Sequence, residues 1–388
     1  MLNRLRTTAI AALAALAMGG APVQADTPVA AAAVASQPAG AQGVFPGAAW
    51  ATPATSGQPS GWSADKLQLA DDYADSLRSD AYLVVYRGVL VHAYGDIRRP
   101  MNLASVRKSV LSVLYGMHVG PGAIDLDQSL ASLGITDKGG LSDVEQTATV
   151  RQLLQSRSGV YHEAAYETPA AKKRRPERGS HAPGTFWYYN NWDFNTLATI
   201  FQRRTGKDVF EALKTELAEP LQFEDFRYPQ DTKFEYERSS DHPAYLMFLS
   251  ARDLARIGLL VSRDGLWQGR QMVPSAWLRE STTSYSAVRG GNGYGYMWWL
   301  PFAAFPSWRT PGNQLVLADG SGGQFMLIDR ARDIVLVHRV DNSRLWFKRN
   351  AVDVGQFAEL AARVLAAAPG EVGGGRPTEP AAHRAQTP

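Results

Sequence analysis

The chain has 388 residues, 45% of them hydrophobic and 20% charged, with 40 basic against 37 acidic side chains and no cysteine. That length supplies core for one large domain or two ordinary ones, and the absent cysteine excludes a thiol nucleophile, a disulfide scaffold, a thiolate zinc site and an iron–sulfur centre. The formal charge of +3 is spread along the chain rather than concentrated, which argues against nucleic acid as a partner.

Arg4 and Arg6 precede an Ala/Leu-rich run that ends at Met18, and Val23-Gln24-Ala25 presents small residues where a signal peptidase reads. Residues 1–25 are therefore expected to be a signal peptide cleaved after Ala25, with export to the periplasm or beyond. No cysteine follows to carry a lipid anchor, and no later run is apolar enough to span a bilayer. Residues 26–61 are Ala, Pro, Gly, Ser and Thr with few large apolar side chains, so a disordered linker is expected there. The Gly/Pro-rich 368–388 reads as a disordered tail.

Between them, 81–86 and 90–94 are β-branched and aromatic runs around Arg87-Gly88-Val89, which predicts a hairpin. Helical spacing follows over 102–117, 150–155, 194–202, 209–217 and 250–260. Strands are predicted at 315–318, 324–328 and 334–338, then a helix over 352–367. Strands at both ends with helices between predict an α/β (α+β) fold, an antiparallel sheet formed by the N- and C-terminal strands and flanked by helices. Residues 62–117 and 265–367 would form this lobe, 118–264 an inserted, mainly helical lobe, and the cleft between them the site.

Ser105 and Lys108 stand three apart at the start of a helix whose core face is Val106, Val110, Val113 and Leu114, so they are neighbours on another face. A lysine neutralised by burial can take the serine proton without a histidine. The bland alternative is a helix cap beside a snorkelling lysine. Ser63 and Lys66 repeat the spacing, but no strand pair precedes them and capping explains them better. A second segment, Pro183-Gly184 leading to Tyr188-Tyr189-Asn190-Asn191, offers either a proton-relaying tyrosine or an aromatic core cluster. A third, Ala318-Asp319-Gly320-Ser321-Gly322-Gly323-Gln324, is either a plain hairpin turn or a strand edge that admits a substrate carbonyl, with Gly320 and Gly322 allowing close approach. Tyr161, His162 and Tyr166 follow a Ser-Gly loop start, and would either line the cleft or fold into an ordinary loop. Tyr294, Tyr296, Trp298 and Trp299 read as core or rim rather than as a substrate platform.

In this order and spacing the three segments resemble the serine β-lactamase-like superfamily, which includes class C β-lactamases, DD-peptidases, related esterases and 6-aminohexanoate-dimer hydrolases. The Gly-Gly-Gln ending is most similar to the last group. The resemblance implies a β-lactamase/transpeptidase-like fold in which Ser105 is the acylated nucleophile, Lys108 its base, Tyr189 the proton relay and Asn191 its polar partner. Tyr188 with Asn190 is the alternative register. The N–H groups of Ser105 and Ser321 would form the oxyanion hole. One departure from the family pattern stands out: its usual Lys-Thr-Gly or His-x-Gly is here Ala318-Asp319-Gly320, and an aspartate there repels the carboxylate of a penicillin or peptide.

The expected function is therefore hydrolysis of an ester or amide bond in a small molecule by a Ser-Lys-Tyr acyl-enzyme route, with no cofactor and no metal. His162-Glu163 lacks the final histidine of a zinc His-Glu-x-x-His. Alternatives are a β-lactamase or DD-peptidase, or an idle member that binds peptidoglycan fragments. Oligomeric state is not legible.

Overall fold

The structure, a computed structural model, describes residues 43–56, 61–120, 123–288, 291–301, 303–308, 315–341, 343 and 351–370. The expected leader, residues 26–42 of the expected linker and 371–388 of the tail lie outside them.

In chain order the elements are α1 (Pro53–Ser56), α2 (Ala64–Ser76), β1 (Ala81–Tyr86), β2 (Val89–Gly95), β3 (Met101–Asn102) and α3 (Val106–His118). Then come α4 (Asp143–Gln146), α5 (Val150–Leu154), α6 (Pro169–Arg174), α7 (Asn191–Thr205) and α8 (Val209–Ala212), the last continued by a π-helical turn, Leu213–Ala218. They are followed by β4 (Thr232–Glu235), β5 (Ala244–Leu249), α9 (Ala251–Ser262), β6 (Leu266–Trp267), β7 (Arg270–Gln271) and α10 (Ser275–Ser281). The last are β8 (Ser286–Val288), β9 (Asn292–Tyr294), β10 (Trp299–Leu300), β11 (Leu315–Gly320), β12 (Gln324–Asp329), β13 (Ile334–Arg339) and α11 (Val354–Ala366).

The main sheet has eight strands in the order β2-β1-β13-β12-β11-β10-β9-β8, every neighbouring pair antiparallel. As expected, the two ends of the chain meet in it: Leu83 faces Val337 across β1 and β13. Side-chain alternation gives the sheet two apolar faces. Tyr82, Val84, Phe325, Leu327 and Leu336 pack under α2 and α11, whereas Leu83, Val85, Met326, Val335 and Val337 join α3 and α9. Helix α9 comes so close that a Cβ on Gly258 would lie 2.5 Å from Val335 Cγ1.

Three expectations need correction. The linker ends sooner than residue 61, because Trp50 is buried and donates to the Arg252 carbonyl at 3.1 Å, while Phe45 lies under the Arg263 guanidinium. Two aromatic side chains supply the apolar area that the surrounding Ala, Pro and Gly lack. The lobe boundary at 264 also moves, since α9 lies on the sheet at β12 and β13 rather than with the inserted helices. The insertion carries strands too: β4 and β5 lie within it and pair with β3 in a three-stranded sheet, so Asn102 is extended where the start of a helix was expected.

Candidate active site

Strand β3 delivers the chain to Ser105. Ala104 is held left-handed, at φ +47°, between two clamps: its N–H donates to Asn102 Oδ1 at 2.8 Å, and its carbonyl accepts from Arg107 Nη1 at 2.6 Å. A non-glycine residue in that region is strained, and the surrounding hydrogen bonds hold it there. Ser105 then opens α3 with no capping bond from its side chain. Ser63, by contrast, accepts from Lys66 N as the cap of α2, so the two Ser-x-x-Lys segments differ as expected.

The Lys108 ammonium nitrogen is buried and has three oxygen partners: Ser105 Oγ at 2.9 Å, Tyr189 Oη at 3.0 Å and Asn191 Oδ1 at 3.0 Å. Tyr189 and Asn191 come from the turn into α7, whose start is fixed by Asn190: its side chain accepts from Trp192 N and donates to the Val160 carbonyl. Of the two tyrosines, Tyr189 is the one that contacts Lys108. Tyr188 points elsewhere, donating to the Ala171 carbonyl at 3.1 Å.

Burial is the largest influence on the charges here. It pushes the Lys108 pKa well below the ordinary lysine value, the neighbouring Arg107 charge pushes it further, and Asp319 partly opposes both. Burial raises the Tyr189 phenol above its ordinary value. A neutral Lys108 fits its three partners: Asn191 Oδ1 only accepts, so the amine donates to it and to Tyr189 while its lone pair receives the Ser105 hydroxyl proton.

Strand β11 closes the other side. A Cβ on Gly320 would stand 2.7 Å from the Leu103 carbonyl and 3.0 Å from Ser105 N, so glycine lets the strand edge reach the nucleophile. Ser321 follows at the end of that edge, where Gly322 and Gly323 turn left-handed into β12 at φ +83° and +92°. An oxyanion formed at Ser105 would lie between the start of α3 and this turn.

Residues 68–340 match the Beta-lactamase family, well over half of the chain. The chain belongs to that family. The β-lactamase/transpeptidase-like fold expected from sequence is shown with it. A proposed 6-aminohexanoate-dimer hydrolase from Bacillus anthracis superposes with a TM-score of 0.57 at 21% identity, covering 76% of this chain and 79% of that one. A penicillin-binding protein homologue from Caulobacter crescentus gives 0.54 at 17% identity, covering 72% and 92%. At these identities the likeness is one of fold. An uncharacterised protein of Alkalihalophilus pseudofirmus is 27% identical over 189 residues, 45% of this chain and 52% of that protein, so the chain spans about half the length of this curated relative.

In this family member not every expected site residue reaches the centre. Tyr166 is exposed and touches the segment that leads to Ser105: its hydroxyl accepts from Asn102 Nδ2 at 3.4 Å, and the Arg107 guanidinium lies 5.9 Å from its ring. Tyr161 and His162, also expected at the cleft, belong to the supporting loop. Tyr161 packs edge-on against Tyr188 and His181, and His162 lies beside Trp192 with Glu145 3.7 Å from its ring nitrogen. Burial drives this: the Tyr161 ring packs against Tyr188 and the His162 ring against Trp192. Asn102 and Arg107, beside the nucleophile segment, are residues that sequence reading missed. Trp299, assigned to core or rim, stacks on Tyr189 with ring centroids 5.6 Å apart. Among the described residues no group of three His, Asp or Glu side chains is arranged to hold a metal, and no helix is long and apolar enough to cross a membrane.

Proposed function

We propose that the protein is a serine hydrolase that cleaves an ester or amide bond of a small molecule through an acyl-enzyme on Ser105. The observation that carries this reading is the triple contact of Lys108 Nζ with Ser105, Tyr189 and Asn191. Neutral Lys108 takes the hydroxyl proton as Ser105 Oγ bonds to the carbonyl carbon, and the N–H groups of Ser105 and Ser321 hold the oxyanion. Collapse breaks the C–O or C–N bond, and the proton travels from Lys108 through Tyr189 to the leaving group. Water then attacks the acyl-enzyme by the same route, releasing the acid and restoring Ser105. The leader sequence supports export as the setting of this reaction.

A fluorophosphonate probe tests the reading. Labelling of the wild type and none of Ser105→Ala is expected; a folded wild type that stays unlabelled would overturn it and leave the idle, fragment-binding alternative. Family membership keeps β-lactam turnover as the second reading. Asp319 argues for slow hydrolysis of a chromogenic cephalosporin relative to a neutral ester, and rapid turnover would reverse that order.

A further inference from the structure

The carboxylate of Asp319 is half-buried, and among the described residues it makes no hydrogen bond and no ion pair. It directly precedes Gly320, the residue against Ser105 N. Its charge acts on both Lys108 and Tyr189. Lys108 is not its salt-bridge partner, because the three contacts of that nitrogen go to other oxygens. A lone carboxylate so placed costs free energy on folding. Burial raises its pKa to about 6, with the nearby Lys108 charge opposing that rise.

The sheet register supplies the second element. Trp299 of β10 stands opposite Leu317 of β11, so Asp319, two residues on, is its diagonal neighbour on the same face. Trp299 is itself half-buried and stacks on Tyr189. An indole on the same strand face as an unpaired carboxylate is a combination that suits a cation: the carboxylate supplies charge and the ring supplies its quadrupole with little desolvation cost. The side of the cleft follows from Tyr189. In the mechanism above, that phenol hands its proton to the departing group, so what lies against Tyr189 lies against the leaving group.

We propose that Asp319 and Trp299 form a cation subsite that selects esters or amides carrying an ammonium group on the leaving-group side of the scissile bond. This rests on the serine-hydrolase reading and deepens it. The subsite favours a positive leaving group, tolerates a neutral one and repels an anionic one. Selectivity for charge, rather than turnover itself, is its contribution.

Three thioesters of matched size test it: butyrylthiocholine, its neutral carbon isostere S-(3,3-dimethylbutyl) thiobutyrate, and the anionic S-butyryl-3-mercaptopropionate. Released thiol is read by disulfide exchange with a chromogenic reagent, to which a chain without cysteine adds no background. At low ionic strength kcat/KM is expected to fall from cation to neutral to anion, with the outer pair separated by ~10- to 100-fold. In Asp319→Asn that ratio should shrink to about twofold, and Trp299→Leu should lower it partway. Comparing the ratio within each variant cancels any change in Lys108 basicity. Should Asp319→Asn fail to fold, the wild type still decides, since added salt must compress the ratio. A wild type that hydrolyses all three within twofold of each other, or an Asp319→Asn enzyme that keeps the cation preference, overturns the proposal. Failure of the wild type to hydrolyse even the neutral thioester, together with no fluorophosphonate labelling, would instead overturn the serine-hydrolase reading beneath it.

Discussion

Arg339 Nη2 donates to the main-chain carbonyl of Met101 at 2.7 Å, joining the last strand of the main sheet to the segment that ends in the nucleophile. The same fully buried guanidinium donates to Asn102 O at 3.1 Å, to Leu249 O at 3.2 Å and, through Nε, to Gln324 Oε1 at 2.8 Å. Gln324 in turn donates to Val340 O and follows the glycine turn after Ser321. One side chain thus connects the two backbone segments whose N–H groups would hold the oxyanion.

Arg339→Met is expected to leave several buried carbonyls without a donor. Each such group costs about 1–3 kcal/mol, so a loss on the order of 3 kcal/mol or more is expected in urea unfolding. Arg339→Lys should rescue little, since a single ammonium lacks the planar fork that spans four acceptors. In whatever fraction folds, kcat should fall more than KM rises, because the oxyanion geometry is disturbed and the remote substrate contacts are not. A variant with wild-type kcat would separate the guanidinium from the site.

The approach of β11 makes Gly320→Ala a sharper probe of the same geometry. An added methyl would meet the Leu103 carbonyl at 2.7 Å and Ser105 N at 3.0 Å, both backbone and slow to yield. Strand edge and nucleophile must separate by a few tenths of an ångström. A drop of ~10²–10³-fold in kcat is expected, the size typical of losing one oxyanion donor, alongside a loss of about 1–3 kcal/mol of stability from the backbone clash. Ester kinetics well below the melting temperature of the variant would show whether activity falls in protein that is still folded.

Much of this was legible in the sequence where local spacing carries the information. Ser105 and Lys108 are one helical turn apart, and Tyr189 and Asn191 fall two apart beside a helix start, so short-range pattern and family resemblance together place them. The hairpin of β1 and β2 and the three strands β11 to β13 showed for the same reason, as dense β-branched runs. Strands β8, β9 and β10 have two or three residues each and exist only because β11 offers them an edge. Arg107 and Arg339 were invisible because a buried arginine is recognisable only by its acceptors, which are distant in sequence. Alternation offered one clue: Val335 and Val337 face the core, and Arg339 continues their face.

The electrostatics of Lys108 set the pH dependence. Its amine must be neutral to accept the Ser105 proton, so kcat/KM for a neutral thioester should rise with pH through a limb well below the ordinary lysine value of 10.5. Arg107→Gln removes a cation that disfavours the ammonium, and the limb should move to higher pH. Tyr189, held above 10.0 by burial, should cause no loss of activity at pH 9. Tyr189→Phe should lower kcat by ~10²–10⁴-fold while fluorophosphonate labelling, which expels a good leaving group unaided, persists. An acid limb that stays in place in Arg107→Gln would show that burial alone tunes the lysine.

His338 links stability to pH from beneath the same turn. Its Nδ1 donates to Gly323 O at 2.8 Å, which leaves Nε2 as the acceptor for the Ser79 hydroxyl at 2.7 Å. That arrangement requires the neutral ring. Full burial pushes its pKa from 6.5 down to about 4, so between these values the unfolded chain binds a proton that the folded chain refuses. The contribution is complete above pH 6.5 and is lost as pH falls toward 4, amounting to about 3 kcal/mol. His338→Gln should be less stable than wild type at pH 7.5, because its hydrogen bonds are imperfectly replaced. Its stability should nevertheless decline less steeply between pH 6.5 and 4. Urea midpoints for both proteins across that window isolate the histidine, since carboxylate titrations cancel in the difference. Parallel slopes would mean that His338 is protonated in the folded protein.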